Sequence, residues 1–315
     1  MLQSRHHAGR CGWSGLEGAA WKAGAALAID YLLIGHLTQD VTPAGTMLGG
    51  TALYASVTAQ RLGQRVGLVT RAPARLEAEI RAALPDVALH ILPTEQATTF
   101  ENRYLGNDRQ QFLRHVAEPL SLTDVPEEWR HAPVVHLAPI AQEVDPALAA
   151  QLAHSLVCVT PQGWLRAWDE SGEVRPVISS AIRQALEAVD VMVFSAEDVG
   201  HDPEAMRELI SAVPLAVVTQ AGEGAVIYRE ETVRPMPARP AEVVDPTGAG
   251  DVFAAAFFTW LRETGNPLEA AAFANAVASF SIEAVGPAGI PAREAVEAWL
   301  ARRTNEGTPG VETPG

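Results

Sequence analysis

A chain of 315 residues that is 48% hydrophobic and 19% charged can bury a full core, which excludes a wholly disordered protein. Its 38 acidic and 23 basic residues give a formal charge of −15. That is the wrong sign for a general partner of nucleic acid or of an anionic membrane. Two cysteines exclude a disulfide scaffold, and Cys158 lies in the apolar run LVCVT, so a reducing, cytoplasmic setting is expected.

Residues 1–23 show little periodicity and read as a disordered tail. No stretch reaches the ~20 apolar residues of a membrane helix. The nearest, residues 23–37, is short and carries Asp30, so it reads as a buried strand entered at Asp30. Apolar runs predict strands over 31–36, 66–70, 134–138, 156–159, 191–194 and 215–219. They alternate little, as strands covered on both faces should. Helical patterns fall between them, over 51–62, 75–84, 146–154, 179–189 and 203–212. Strand–helix alternation predicts an α/β unit with a largely parallel sheet.

The segment TTFENRYLGNDRQQFLRHV, from residue 98 to 116, has two strand-like runs about a turn near Gly106. It reads as a hairpin projecting from the sheet as a lid. The last third holds a hairpin-like AVIYREETVRP and then three helices, near 251–263, 267–284 and 291–303. A Gly/Pro/Thr-rich segment over 304–315 reads as a second tail, leaving one domain over 24–303 with lid pieces near 38–50 and 95–118.

The strongest chemical signal is VVDPTGAGDVF, residues 243–253. Pro246 keeps Asp245 extended, and Gly248 and Gly250 permit unusual backbone angles and close ligand approach. The helix that follows, VFAAAFFTWL, is apolar on nearly every side and should be deeply buried. A glycine turn at such a helix start presents amides and a positive dipole end to an anion. Asp251 sits at its mouth, placed to take a proton from an attacking hydroxyl. This combination suits phosphoryl transfer, and the chain has no GxxxxGK[ST] phosphate loop.

DPTGAGD followed by a buried helix resembles the signature of the ribokinase/PfkB carbohydrate kinase family, and the resemblance extends from residue 28 to about 302. It implies a ribokinase-like three-layer α/β/α sandwich, with a largely parallel central sheet and a small β lid. It implies Asp251 as general base, with the amides of Gly248, Ala249 and Gly250 holding the transferring phosphate. GHLTQD implies Asp40 as a sugar contact with Thr38 nearby. LGGTALYAS implies Gly49 and Gly50 close to the acceptor, with Tyr54 standing where many members have asparagine. VVTQAGEGAVIY implies Thr219 and Gly224 at the nucleotide, although Ala221 replaces a usual glycine. Asn275 is the residue implied nearest the base, with Thr247 also on the donor side. The family's Asn-x-x-Glu, which supports magnesium, is here Ser195-Ala196-Glu197-Asp198. Ser195 and Asp198 are the implied metal residues, and Glu197 is the alternative. A monovalent-cation site is implied around Asp245, Thr247 and Gly286.

TPQGWLRAWDESGEV, the VDPTGAGD form, the short first lid piece and TTFENRY resemble the plant-type myo-inositol kinases. That resemblance implies a cyclitol held by Asp40, Asn102, Gln162 and Arg166, with ATP and Mg²⁺ as donor and metal. Pentoses, fructose, ketodeoxy sugars and nucleosides are the other acceptors. A non-catalytic sugar- or nucleotide-binding protein is the alternative from another class, motivated by Ser195 and Ala221. The expected partner is a small sugar or polyol, not nucleic acid or membrane. A lid this small is also open to completion by a second copy in a homodimer. The histidines show no metal-ligand spacing.

Overall fold

The structure, a computed structural model, describes residues 29–42, 45–105 and 108–305. The expected tail over 1–23 lies outside them. In chain order the strands are β1 (Tyr31–Ile34), β2 (Thr38–Thr42), β3 (Gly45–Gly49), β4 (Val66–Ala72), β5 (Ala88–Pro93), β6 (Thr99–Leu105), β7 (Asp108–His115) and β8 (Val134–Leu137). They continue with β9 (Leu156–Val159), β10 (Arg166–Trp168), β11 (Val174–Pro176), β12 (Val191–Ser195), β13 (Leu215–Thr219), β14 (Ala225–Arg229) and β15 (Thr232–Met236). The helices are α1 (Thr51–Arg61), α2 (Ala74–Ala83), α3 (Leu148–Gln151), α4 (Ser180–Leu186), α5 (Pro203–Ala212), α6 (Ala249–Thr264), α7 (Pro267–Ser281) and α8 (Arg293–Asn305).

Nine strands form one sheet in the order β15-β14-β13-β12-β9-β8-β1-β4-β5. From β5 to β13 the pairs are parallel, while β14 and β15 add an antiparallel edge. The period-2 geometry of a strand sends successive side chains to opposite faces. Tyr31 and Leu33 therefore join a core built with α1, α2, α6, α7 and α8, and Leu32 and Ile34 join a second core under α3, α4 and α5. Both faces are covered, which is why these runs are apolar without alternation. The expected three layers are present.

Helix α6 is enclosed along its middle turns. Its buried residues run from Val252 to Thr259, with Leu261. Phe257 and Phe258 are fully buried, and truncating either to alanine would cost about 3–5 kcal/mol. The sheet also buries His136, whose Nδ1 meets the Tyr31 hydroxyl at 2.9 Å and whose Nε2 meets Thr160 Oγ1 at 2.9 Å. Burial pushes its pKa down to about 3, so the ring stays neutral. It also packs edge-on against Phe258 of α6.

The lid is a separate four-stranded sheet in the order β3-β2-β6-β7. Phe100 and Leu113 on its inner face pack on Ile140 and Ala141 of the main body. Several elements depart from expectation; the pattern over 146–154 forms only the short α3, and β10 and β11 were not expected. The half-buried edge strand β5 was not expected, because His90 interrupts its apolar run. Helix α7 stops at Ser281, because the next carbonyl, Ile282, accepts from the amides of Val244 and Asp245 at 2.8 and 3.1 Å. Helix α8 continues to Asn305, past the domain end placed at 303, because no glycine or proline interrupts it before Gly307.

Candidate active site

The α6 N-terminus is the centre of the site. Gly248 caps it at φ 76°, a left-handed conformation that favours glycine. A Cβ there would fall 2.3 Å from Tyr54 Cδ1, so the tyrosine ring occupies the space a side chain would need. A Cβ on Gly250 would meet nothing within 4 Å, so this end of the helix faces open space. First-turn amides have no partner within their own helix and so can hold an anion. Of the three amides expected to do so, that of Ala249 already donates to the Pro246 carbonyl at 3.2 Å.

Asp245 holds the turn from below. Its Oδ1 accepts from the Thr247 amide at 3.0 Å and its Oδ2 from the Gly286 amide at 2.9 Å. Burial pushes this carboxyl up, but the hydrogen bonds from Thr247 and Gly286 outweigh it and leave the pKa below the ordinary value. The three residues named for a cation site do meet, with two amides turned to the carboxylate.

Asp251 follows in the first turn of α6. Thr51, the first residue of α1, donates its hydroxyl to Asp251 Oδ1 at 2.7 Å. Burial pushes the Asp251 pKa up to about 6; Thr51 opposes this, the negative charge of Asp198 adds to it, and Arg166 opposes it. A carboxylate near 6 is ionised at neutral pH yet basic enough to take a proton in a transition state.

The acceptor candidates come from the lid and its root. Thr38 donates to Asp40 Oδ1 at 3.3 Å. A Cβ on Gly49 would fall 2.5 Å from Asp40 Oδ2, and one on Gly50 3.1 Å from Thr38 Cγ2, so both glycines make room for this pair. Gly50 also takes φ 86°. Asp40 is in register with Phe100 of β6, and Asn102 follows two residues on, so both lie on the inner lid face. Asn102 Oδ1 accepts from Gln111 at 3.1 Å. Arg166 donates to the Ile140 carbonyl at 3.1 Å, and its guanidinium lies 5.4 Å from the Phe100 ring centre. Burial pushes the Tyr54 hydroxyl up to about 12, helped by the charges of Asp245, Asp251 and Asp40, so it stays protonated among three carboxylates.

Asp198 and Ser195 close on one another. Asp198 Oδ2 accepts from the Ser195 amide at 2.8 Å and its hydroxyl at 3.3 Å, and Oδ1 accepts from Gln162 Nε2 at 3.0 Å. Gln162, expected at the acceptor, thus braces the metal candidate instead, and the Ser195 hydroxyl is turned to Asp198. Of the residues expected at the nucleotide, Thr219 donates to the Phe194 carbonyl at 3.4 Å. A Cβ on Gly224 would fall 2.2 Å from the Met236 carbonyl. Ala221 adopts φ 48°, the conformation for which a glycine is better suited. Asn275 donates to the carbonyls of Met236 and Pro237 at 2.8 and 3.2 Å. It lines a cleft of about 220 Å³ with Arg239, Trp299 and Leu300.

Sequence reading missed Thr51, Glu143 and Arg239. Glu143 is 1% exposed and accepts from the amides of His36, Ile140 and Ala141, bracing the loop under the lid. Arg239 pairs with Glu283 at 2.5 Å and stacks 4.1 Å from the Phe280 ring centre beside the cleft that Asn275 lines. Only Thr51 carried a local signal, its place directly after Gly49 and Gly50.

Comparison with known proteins matches residues 41–293 to the profile of the pfkB family carbohydrate kinases. The chain is 30% identical to the cytidine kinase of Thermococcus kodakarensis over 263 residues, covering 76% of this chain and 91% of that one. It is 27% identical to the inositol 3-kinase of Oryza sativa, covering 88% of this chain and 73% of that one. Among solved structures, a pyrophosphate-dependent kinase of the ribokinase family, complexed with a pyrophosphate analog and myo-inositol, superposes with a TM-score of 0.71. Its identity is 21%, over 85% of this chain and 99% of that one. The family match over most of the domain and the ribokinase-like fold lead to one conclusion: this chain belongs to the pfkB family of carbohydrate kinases, phosphotransferases that act on hydroxyl acceptors.

Proposed function

We propose that this kinase transfers the γ-phosphate of ATP to a hydroxyl of a small cyclitol of the myo-inositol type, with Asp251 as general base. The observation that carries the reading is Asp251 itself: a carboxylate with its pKa raised to about 6, beside the first-turn amides of a buried helix. The acceptor hydroxyl lies between the lid and Asp251 and gives its proton to the carboxylate as it attacks the γ-phosphate in line. The amides at Gly248 and Gly250 hold the developing charge. The lid excludes water, which limits wasteful hydrolysis.

Among the described residues no three His, Cys, Asp or Glu side chains form a metal cage. Magnesium keeps several waters and needs only one or two carboxylates beside the phosphates, and Gln162 and Ser195 brace one such carboxylate, Asp198. Asp198, on the turn it shares with Glu197, would hold the hydrated ion, which supplies neutralisation of phosphate charge.

The lid supports an acceptor made of hydroxyls. Asp40 and Asn102 lie on its inner face, and Arg166 covers a face of Phe100. A nucleoside is the second reading, favoured by the 30% identity to the cytidine kinase. The test is magnesium-dependent ADP release with myo-inositol, ribose, fructose, ketodeoxygluconate, adenosine and cytidine. Turnover with myo-inositol at the highest kcat/KM supports the first reading, and with cytidine or adenosine the second. ATP binding by calorimetry without turnover on any acceptor would refute both and favour a non-catalytic binding protein.

A further inference from the structure

Thr51 joins two parts of the site that the chain otherwise keeps apart. It is 2% exposed and follows Gly49, the last residue of lid strand β3, with only Gly50 between. Gly50, at φ 86°, turns the chain from the lid into α1. The Thr51 hydroxyl then meets Asp251 Oδ1 at 2.7 Å, across 200 positions of sequence. Three residues later on the same helix face, the Tyr54 ring covers Gly248 at the start of α6. The first turn of α1 thus touches both the carboxylate and the turn that leads into it.

We propose that Thr51 is a positioning residue for Asp251: its hydroxyl occupies Oδ1, so that Oδ2 is the atom turned to the acceptor proton. The inference rests on the reading of Asp251 as general base. A hydrogen bond to the ionised carboxylate stabilises that form, so the Thr51 hydroxyl also keeps the base ionised to lower pH. Because Thr51 is continuous with β3, the orientation of the base is tied to the strands that carry Asp40.

The experiment uses Thr51→Val, which keeps the volume and removes the donor, with Thr51→Ser to restore it and Asp251→Asn as reference. With ATP, magnesium and the best acceptor of the panel, kcat is measured from pH 5 to 9. Thr51→Val should lower kcat about tenfold and move the acid limb of the profile upward by about one pH unit. Thr51→Ser should return both toward wild type. Should the valine variant fail to fold, Thr51→Ala gives the same comparison with less packing. Loss of activity with an unmoved acid limb, or no serine rescue, would overturn the positioning role. If Asp251→Asn turns over at the wild-type rate, the general-base reading fails first. An inactive Asp251→Asn beside a wild-type-like Thr51→Val overturns the inference alone.

Discussion

Asp251→Asn should make the folded protein more stable at neutral pH while it removes activity. The carboxyl titrates near 3.8 in an unfolded chain and at about 6 in the fold, chiefly because burial disfavours its charge. A folded pKa above the unfolded one contributes stability that is fully present below pH ~3.8 and is lost as pH rises through ~6. A difference of about two units corresponds to about 3 kcal/mol lost at pH 7 and above. Asp251 is only partly buried by surface area, so solvent at the cleft makes this an upper figure. Asparagine keeps an oxygen for the Thr51 hydroxyl and never ionises. Urea unfolding of both proteins without ligands, from pH 4 to 8, is the assay. The variant's advantage should be small at pH 4 and grow to at most about 3 kcal/mol by pH 7. Turnover should fall about 10²–10⁴-fold. A stability difference that stays flat across this range would refute the raised pKa, and with it the tuning argued for the base.

Other outcomes follow from the same geometry. Gly248→Ala places a Cβ 2.3 Å from the Tyr54 ring at φ 76°. It should cost about 2–5 kcal/mol, from left-handed strain and overpacking together; chemical denaturation measures it, and Tyr54→Ala should recover part of it. Ala221→Gly relaxes a residue at φ 48°. The gain should be no more than about 1 kcal/mol, since glycine also loosens the unfolded chain, and thermal melting reads it. Asp198→Asn removes a negative charge that raises the Asp251 pKa. The acid limb of kcat should therefore move to lower pH, while the magnesium concentration for half-maximal rate rises; a pH profile at two magnesium levels checks both.

Much of the fold was legible because its determinants are local. The runs at 156–159 and 215–219 matched β9 and β13 residue for residue. Apolar segments of that length, between helical patterns, have few other ways to bury both faces. The lid hairpin was legible from its polar–apolar runs, and its partner strands β2 and β3 from little more than the Gly-Gly turn. β5 at the sheet edge was hidden by the polar His90 within its apolar run, and β10 and β11, three residues each, gave no such signal. The site divides in the same way. DPTGAGD announced the helix start, its glycines and its carboxylate, because turn geometry and helix dipole belong to neighbouring residues.

What the sequence determined by itself was therefore the type of each element and the signature turn. Those properties follow from side-chain periodicity and from the backbone angles glycine and proline allow. Only the tertiary structure decided who partners whom. Gln162 binds Asp198 rather than facing the acceptor, Asn275 ties α7 to the carbonyls at the end of β15, and Thr51 reaches Asp251. These bonds span 36, 39 and 200 positions, respectively. No local pattern encodes such a pairing, because it depends on the order of strands in the sheet. That order sets β9 beside β12 and packs α1 against α6, and so brings the end of lid strand β3, Asp251 and the turn before α6 together.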